Sequence, residues 1–237
     1  MFEVLYEDNH IIAVIKPAGL LTQGDGSGEK SLMDEVRNYL KEKYKKPGNV
    51  FLGLVHRLDK PVQGIVLFAK TSKGAARLSE QFRNHTIRKT YYAIVLGRVK
   101  ENRGELKEKI NKISFFAEGF TEKSDEELLQ EIKKATKTRT AELTWELVKS
   151  SDKYSLLKVL PKTGRFHQIR VQLSEMGHPI LGDKKYGKAL GGRTPQSEWR
   201  DGNSIALAAT GIEFKAATAD KIIKLEIPLP KEWEKYI

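Results

Sequence analysis

The sequence predicts one α+β domain. Apolar runs of strand length recur along the whole chain, segments of helical period are scattered among them without regular alternation, and no shift of composition divides the 237 residues. A chain of this length buries enough apolar surface to fold without staples. It has no cysteine, which removes disulfides, thiolate metal sites and cysteine nucleophiles.

The elements follow in order. Val4 and Leu5 precede Glu7-Asp8-Asn9, and Ile11, Ile12, Val14 and Ile15 come after, so a strand, a turn and a second strand are expected. Lys16-Pro17-Ala18-Gly19 stops the second strand. Between Ser31 and Lys45, Leu32, Val36, Tyr39 and Leu40 fall at helical spacing; Ser31 can cap that helix and Pro47-Gly48 ends it. Residues 50–56 and 64–69 read as strands, Ser72 to His85 as a helix, Thr90 to Leu96 as a strand and 105–122 as further strands. Residues 123–137 are dense in charge with a thin apolar stripe (Leu128, Leu129, Ile132), which fits a charged surface insertion. Thr140 to Lys149 and Tyr154 to Leu160 alternate around a polar turn. Phe166 to Met176 reads as a helix of about three turns between Gly164 and Gly177. A loop rich in Gly, Arg and Pro covers 187–202, and Ser204 to Thr210, Ile212 to Lys215 and Ile222 to Ile227 read as three strands. The whole of 1–237 is expected to be a single domain.

Lys plus Arg total 42 and Asp plus Glu 31, a formal net charge of +11. Such a surface fits a polyanionic partner, with a merely basic globular protein as the alternative. No apolar run approaches the roughly 20 residues of a membrane span. The opening segment is acidic before it is apolar and has no small-residue cleavage site, so no signal peptide and a cytoplasmic location are expected.

Several segments could carry chemistry. Gly24 to Ser31 nearly spells a phosphate loop, but Glu29 stands where that loop needs glycine, and its carboxylate would face the phosphates. A flexible lead into the Ser31 cap fits better. The five histidines show no metal-ligand spacing. Asp59, in His56-Arg57-Leu58-Asp59, follows an apolar strand and precedes a Pro/Gly turn. Rigid flanks of that kind suit a nucleophile, a base or a ligand site, and equally an aspartate that only caps the turn. Thr163-Gly164-Arg165 delivers an arginine to the start of a helix with Arg170 beyond it, and either guanidinium can fork onto a carboxylate or phosphate. Tyr91 and Tyr92 in Lys89-Thr90-Tyr91-Tyr92 point to opposite faces of a strand, so one can pack in the core while the other faces a cleft.

Together these segments resemble the RluA-type family of RNA pseudouridine synthases. The resemblance rests on HRLDKPVQGIVLFAK (56–70), KTYYA (89–93), TGRFHQIR (163–170) and GHPILGDKKYG (177–187), with YEDNHIIAVIKPAGL (6–20) and IPLPKEW (227–233) at the two ends. The motifs occur in family order and span nearly the whole chain. The resemblance implies a bent, mixed, mostly antiparallel sheet with flanking helices and an RNA cleft. It implies isomerisation of uridine in rRNA or tRNA to pseudouridine, with no cofactor, no nucleotide cofactor and no metal. By motif position Asp59 is the catalytic aspartate, Tyr91 the tyrosine that contacts the target base, Arg165 the cation paired with the aspartate, and Arg57 the arginine that fills the place of a flipped base. His56, Lys89, His167 and Arg170 are expected to bind substrate. Arg83, Arg88, Lys184, Lys185 and Arg193 are candidates for phosphate contacts.

Flipping is required because a paired uridine is out of reach. Asp59 could then attack C1′, add to C6 or remove the C2′ proton, and the residue types admit all three. Val62-Gln63 stands where many members carry Thr-Ser, which bears on fine substrate contacts. Many members begin with a small RNA-binding domain of S4 type, and here the motifs start at residue 6, so that domain is expected to be absent. A monomer is the expected state. Two other functions stay open at this level: a binding module or RNA chaperone that has lost chemistry, and an N-glycosidase that releases uracil.

Overall fold

The computed structural model describes residues 2–110, 139–187, 199 and 202–237. The charged stretch 123–137, residues 111–122 and Arg193 lie outside them. The described residues form one ten-stranded sheet with three α-helices: β1 (Glu3–Glu7), β2 (Ile11–Lys16), α1 (Leu32–Lys43), β3 (Gly53–Leu54), β4 (Gln63–Ala69), α2 (Ser72–Arg83), β5 (Arg88–Leu96), β6 (Arg103–Ile110), β7 (Arg139–Ser150), β8 (Tyr154–Pro161), α3 (Gln168–Glu175), β9 (Leu207–Lys215) and β10 (Ile222–Glu226). The strand order is β1-β2-β4-β9-β5-β8-β7-β6, with β3 beside β4 and β10 beside β9. β4 and β9 run parallel; the other pairs are antiparallel.

Local chemistry sets these elements. Asp8 Oδ1 accepts the backbone N–H groups of His10 and Ile11, both at 2.7 Å, and this turns β1 into β2. In β2, Ile12 and Val14 face the core that holds Leu32, Val36 and Leu40 of α1, while Ile11 and Ala13 face the core that holds Leu78 of α2. Strands covered on both faces read as unbroken apolar runs, as IVLFA does in β4. Ser31 caps α1 in a reciprocal box with Asp34, and Thr71 caps α2 through the Gly74 N–H.

Three boundaries differ from expectation. The strand expected over 50–56 shrinks to Gly53–Leu54. The next pairing position on β4 is lost because the Leu67 N–H donates to the His56 ring Nε2 at 2.9 Å instead of to backbone. The two strands expected on either side of Gly211 are one, β9, which reads through that glycine. The helix expected from Phe166 begins only at Gln168, because His167 takes a left-handed conformation (φ 53°, ψ 20°).

β9 holds the sheet together at its centre. One edge pairs with β5; along the other, β4 covers Ala208 and Ala209, and β10 takes over from Gly211. Gly64 makes the β4 contact possible. Its φ is +129°, and a Cβ there would sit 2.2 Å from the Ala209 carbonyl oxygen. Gly64→Ala is therefore expected to destabilise the protein by about 3 kcal/mol or more, through both clash and backbone strain. Urea unfolding measures it; a midpoint equal to wild type would mean that β4 and β9 can separate without cost.

Candidate active site

The loop between β3 and β4 is fastened from several sides. Thr22 Oγ1 donates to the Leu58 carbonyl (2.7 Å) and accepts the Leu58 N–H (3.2 Å). The Gly19 N–H donates to Lys60 O (2.8 Å), the Val62 N–H to Asp59 O (3.0 Å) and the Ile205 N–H to Pro61 O (3.2 Å). Lys16, fully buried at the end of β2, gives its ammonium protons to the carbonyls of Pro17, Leu20 and Lys60. Burial lowers its pKa to about 8, against an upward pull from the Asp59 charge. A cation buried this close belongs to the electrostatics of Asp59.

Asp59 opens into a cavity of about 600 Å3. Its Oδ2 meets Arg170 Nη1 at 3.2 Å and His167 Nε2 at 3.4 Å. Among the described residues its Oδ1 accepts no hydrogen bond, and the side chain is 22% exposed. Oδ2 thus carries both ion-pair contacts of a carboxylate that lines the cavity.

The partner of Asp59 is thus Arg170 and not Arg165. Arg165 lines the same cavity, but its Nε donates to the Thr140 carbonyl at 3.1 Å. The left-handed His167 explains the exchange. With the helix starting two residues late, Arg165 stays in the loop and Arg170 falls in the first turn of α3, facing inward. That loop is latched to β7: Glu142 O accepts from the Thr163 N–H (3.3 Å) and from Gln168 Nε2 (3.1 Å), and the Glu142 N–H donates to Thr163 Oγ1 (2.9 Å).

Arg170 is itself buried and braced. Nε and Nη2 fork onto Asp183 at 2.6 and 2.9 Å, and Asp183 Oδ1 also accepts the N–H groups of Lys185 and Tyr186. The guanidinium therefore reaches Asp59 with one free hand and little freedom. Asp183, Tyr186 and Lys16 are not among the site residues that the sequence motifs point to. The signal for Lys16 was a lysine closing a fully apolar strand; Asp183 carried none beyond its place in GHPILGDKKYG.

The remaining candidates divide. Tyr91 of β5 lines the cavity, and burial together with the Asp59 charge pushes its phenol upward, so at neutral pH it is a hydrogen-bond donor. Lys89 also lines the cavity, donates to Thr163 O (3.2 Å) and is lowered to about 8 by burial. His56 lines it too, stacked on Phe82 with centroids 4.8 Å apart. Arg57 is exposed at the mouth, with its guanidinium carbon 5.8 Å from the centre of the Phe166 ring. Arg83 stands in the wall; Arg88 lies outside it, 3.6 Å from Glu213.

His167 and His56 make a stability prediction. Burial lowers His167 to about 4, partly countered by Asp59, and lowers His56 to about 3, reinforced by Lys89. Unfolded histidine takes its proton near pH 6.5. Between that pH and about 4 the unfolded chain binds more protons than the folded one, so stability is full above 6.5 and falls as pH drops. The loss is expected to be on the order of 3 kcal/mol per histidine. Urea midpoints at pH 7, 6 and 5 should decline, and His167→Gln should flatten the decline. An unchanged slope in that variant would sink the assignment.

Residues 10–175 match the family described as RNA pseudouridylate synthase. Among curated relatives, the ribosomal large subunit pseudouridine synthase C of Buchnera aphidicola is 32% identical, over 99% of this chain and 69% of the relative. The tRNA pseudouridine synthase C of Haemophilus ducreyi is also 32% identical, over 98% of this chain and 93% of the relative. The solved structure of human RNA Pseudouridylate Synthase Domain Containing 4 shares the fold, with a TM-score of 0.74 at 22% identity over 98% of this chain and 90% of that one. The matched span carries Asp59, Tyr91 and Arg170 together, and on that match the chain belongs to the RNA pseudouridylate synthase family.

Proposed function

We propose that Asp59 is the carboxylate that drives conversion of uridine to pseudouridine in this RNA isomerase. The carrying observation is the uneven use of its oxygens in a cavity whose wall includes Asp59 and Tyr91: Arg170 holds Oδ2, and among the described residues Oδ1 accepts no hydrogen bond. The reaction breaks the bond from C1′ to N1 and makes one from C1′ to C5; C5 loses a proton, N1 gains one, and nothing else is consumed. Arg170, backed by Asp183, is a positioning residue that keeps the carboxylate aimed. Tyr91 donates a hydrogen bond to the flipped base. Arg57 enters the space that the base leaves, a task suited to a flat cation. Lys89, Arg83 and Arg165 line the cavity with positive charge for the phosphates, and His56 holds the β4 end of the wall through the Leu67 N–H.

The substrate we infer is structured rRNA or tRNA, because relatives named for each match this chain at equal identity. We further infer a single catalytic domain acting as a monomer in the cytoplasm. Among the described residues no helix is long and apolar enough to cross a membrane. Carbodiimide mapping of pseudouridine in total RNA, with and without the gene, tests the reading. Sites that vanish without the gene and return with the purified protein support it. An unchanged map, with RNA bound but unmodified, would favour a binding module, and release of free uracil would mark a glycosidase.

A further inference from the structure

Phe166 has no part in the chemistry assigned to Asp59, Tyr91 and Arg170, yet it stands at the mouth of their cavity with 52% of its surface exposed. Its position is built. The left-handed backbone at His167 holds Phe166 outside α3, a conformation that a non-glycine residue keeps only when its surroundings impose it. The rings of Phe166 and His167 stack, centroids 3.7 Å apart and 20° from parallel. Beyond His167, Nε2 lies 3.4 Å from Asp59. On the Phe166 ring lies the Arg57 guanidinium, 5.8 Å from its centre. Flat groups thus run in sequence from solvent to the reacting carboxylate: Arg57, Phe166, His167, Asp59.

We propose that Phe166 is the stacking platform for the base adjacent to the target nucleotide, and that Arg57 leaves it when RNA binds. This rests on the reading of the cavity as the isomerase site. The target itself must reach Asp59, and the imidazole of His167 lies between that carboxylate and the Phe166 ring. A base on Phe166 is therefore the next one along the strand. A cation over an exposed ring is weakly held, whereas a nucleobase stacks on an aromatic ring strongly and whatever its identity. The exchange frees Arg57 to fill the gap left by the flipped uridine.

The test uses an RNA hairpin containing a uridine that the wild-type protein converts, and the same hairpin with an abasic site at either neighbour of that uridine. Phe166→Ala is expected to raise KM about 10- to 100-fold while kcat stays within about threefold, and Phe166→Tyr to restore wild-type values. With wild-type protein, one abasic neighbour should raise KM by a similar factor. On that RNA, Phe166→Ala should add nothing further, because the contact is already gone. Melting temperature should not move, since the ring is half in solvent. A fall in kcat alone, equal on every hairpin, would mean that Phe166 merely props His167 and would overturn the proposal. So would fully additive losses. If wild type converts no uridine in any RNA, the fault lies in the isomerase reading and not in Phe166.

Discussion

Asp59→Asn is expected to lower pseudouridine formation by at least about 10³-fold, the scale on which removal of an essential reacting group is felt. The change is nearly isosteric. Arg170 keeps its fork on Asp183 and Lys16 keeps its three carbonyls, so the fold and the cavity survive. RNA affinity should shift by only a few-fold, and upward, because a negative charge facing a polyanion is removed. Single-turnover labelling with carbodiimide reads the first quantity and filter binding the second. A hundredfold loss of binding would show that the aspartate shapes the cavity and does not react.

Arg170→Met attacks the same centre from behind and should be felt in stability as much as in turnover. The Asp183 side chain is wholly buried. Without the guanidinium it keeps, among the described residues, the backbone N–H groups of Lys185 and Tyr186. Breaking a buried pair in this way costs about 3–5 kcal/mol, since one charge is left without compensation. For a chain of this size that corresponds to a fall in melting temperature of roughly 10 °C. Adding Asp183→Asn should recover part of the stability and none of the activity. Such a cycle separates the two duties of Arg170, bracing and aiming. A single variant that melts within about 2 °C of wild type would contradict the bracing duty.

Much of this was legible in the residues. The Ser31 cap and helical spacing give α1 to within a turn, the helix read over Ser72 to His85 matches α2 to within a turn, and the unbroken apolar run gives β4. Rigid flanks make Asp59 a candidate, and alternation sends one of Tyr91 and Tyr92 to each face of the strand; the choice of Tyr91 rests on the family motif. What stayed hidden was tertiary. Nothing in TGRFHQIR signals the left-handed conformation of His167, so periodicity starts the helix at Phe166, and motif position sets Arg165 against Asp59 where the fold sets Arg170. β3 is shorter than its apolar pattern because a side chain, His56, takes an N–H that a longer strand would leave to backbone. Asp183 lies thirteen residues beyond Arg170 in an irregular loop, and only folding shows that they meet.

The position of β9 bears on how the protein is made. Translation delivers β9 after every other described strand but β10, yet its place is between β4 and β5, in the middle of the sheet. A nascent chain that has emerged only through α3 already carries Asp59 and Arg170, but lacks the strand that draws β4 and β5 together around them. Ribosome-bound fragments of that length should be inert toward RNA, and activity should appear in one step once β9 has cleared the exit tunnel.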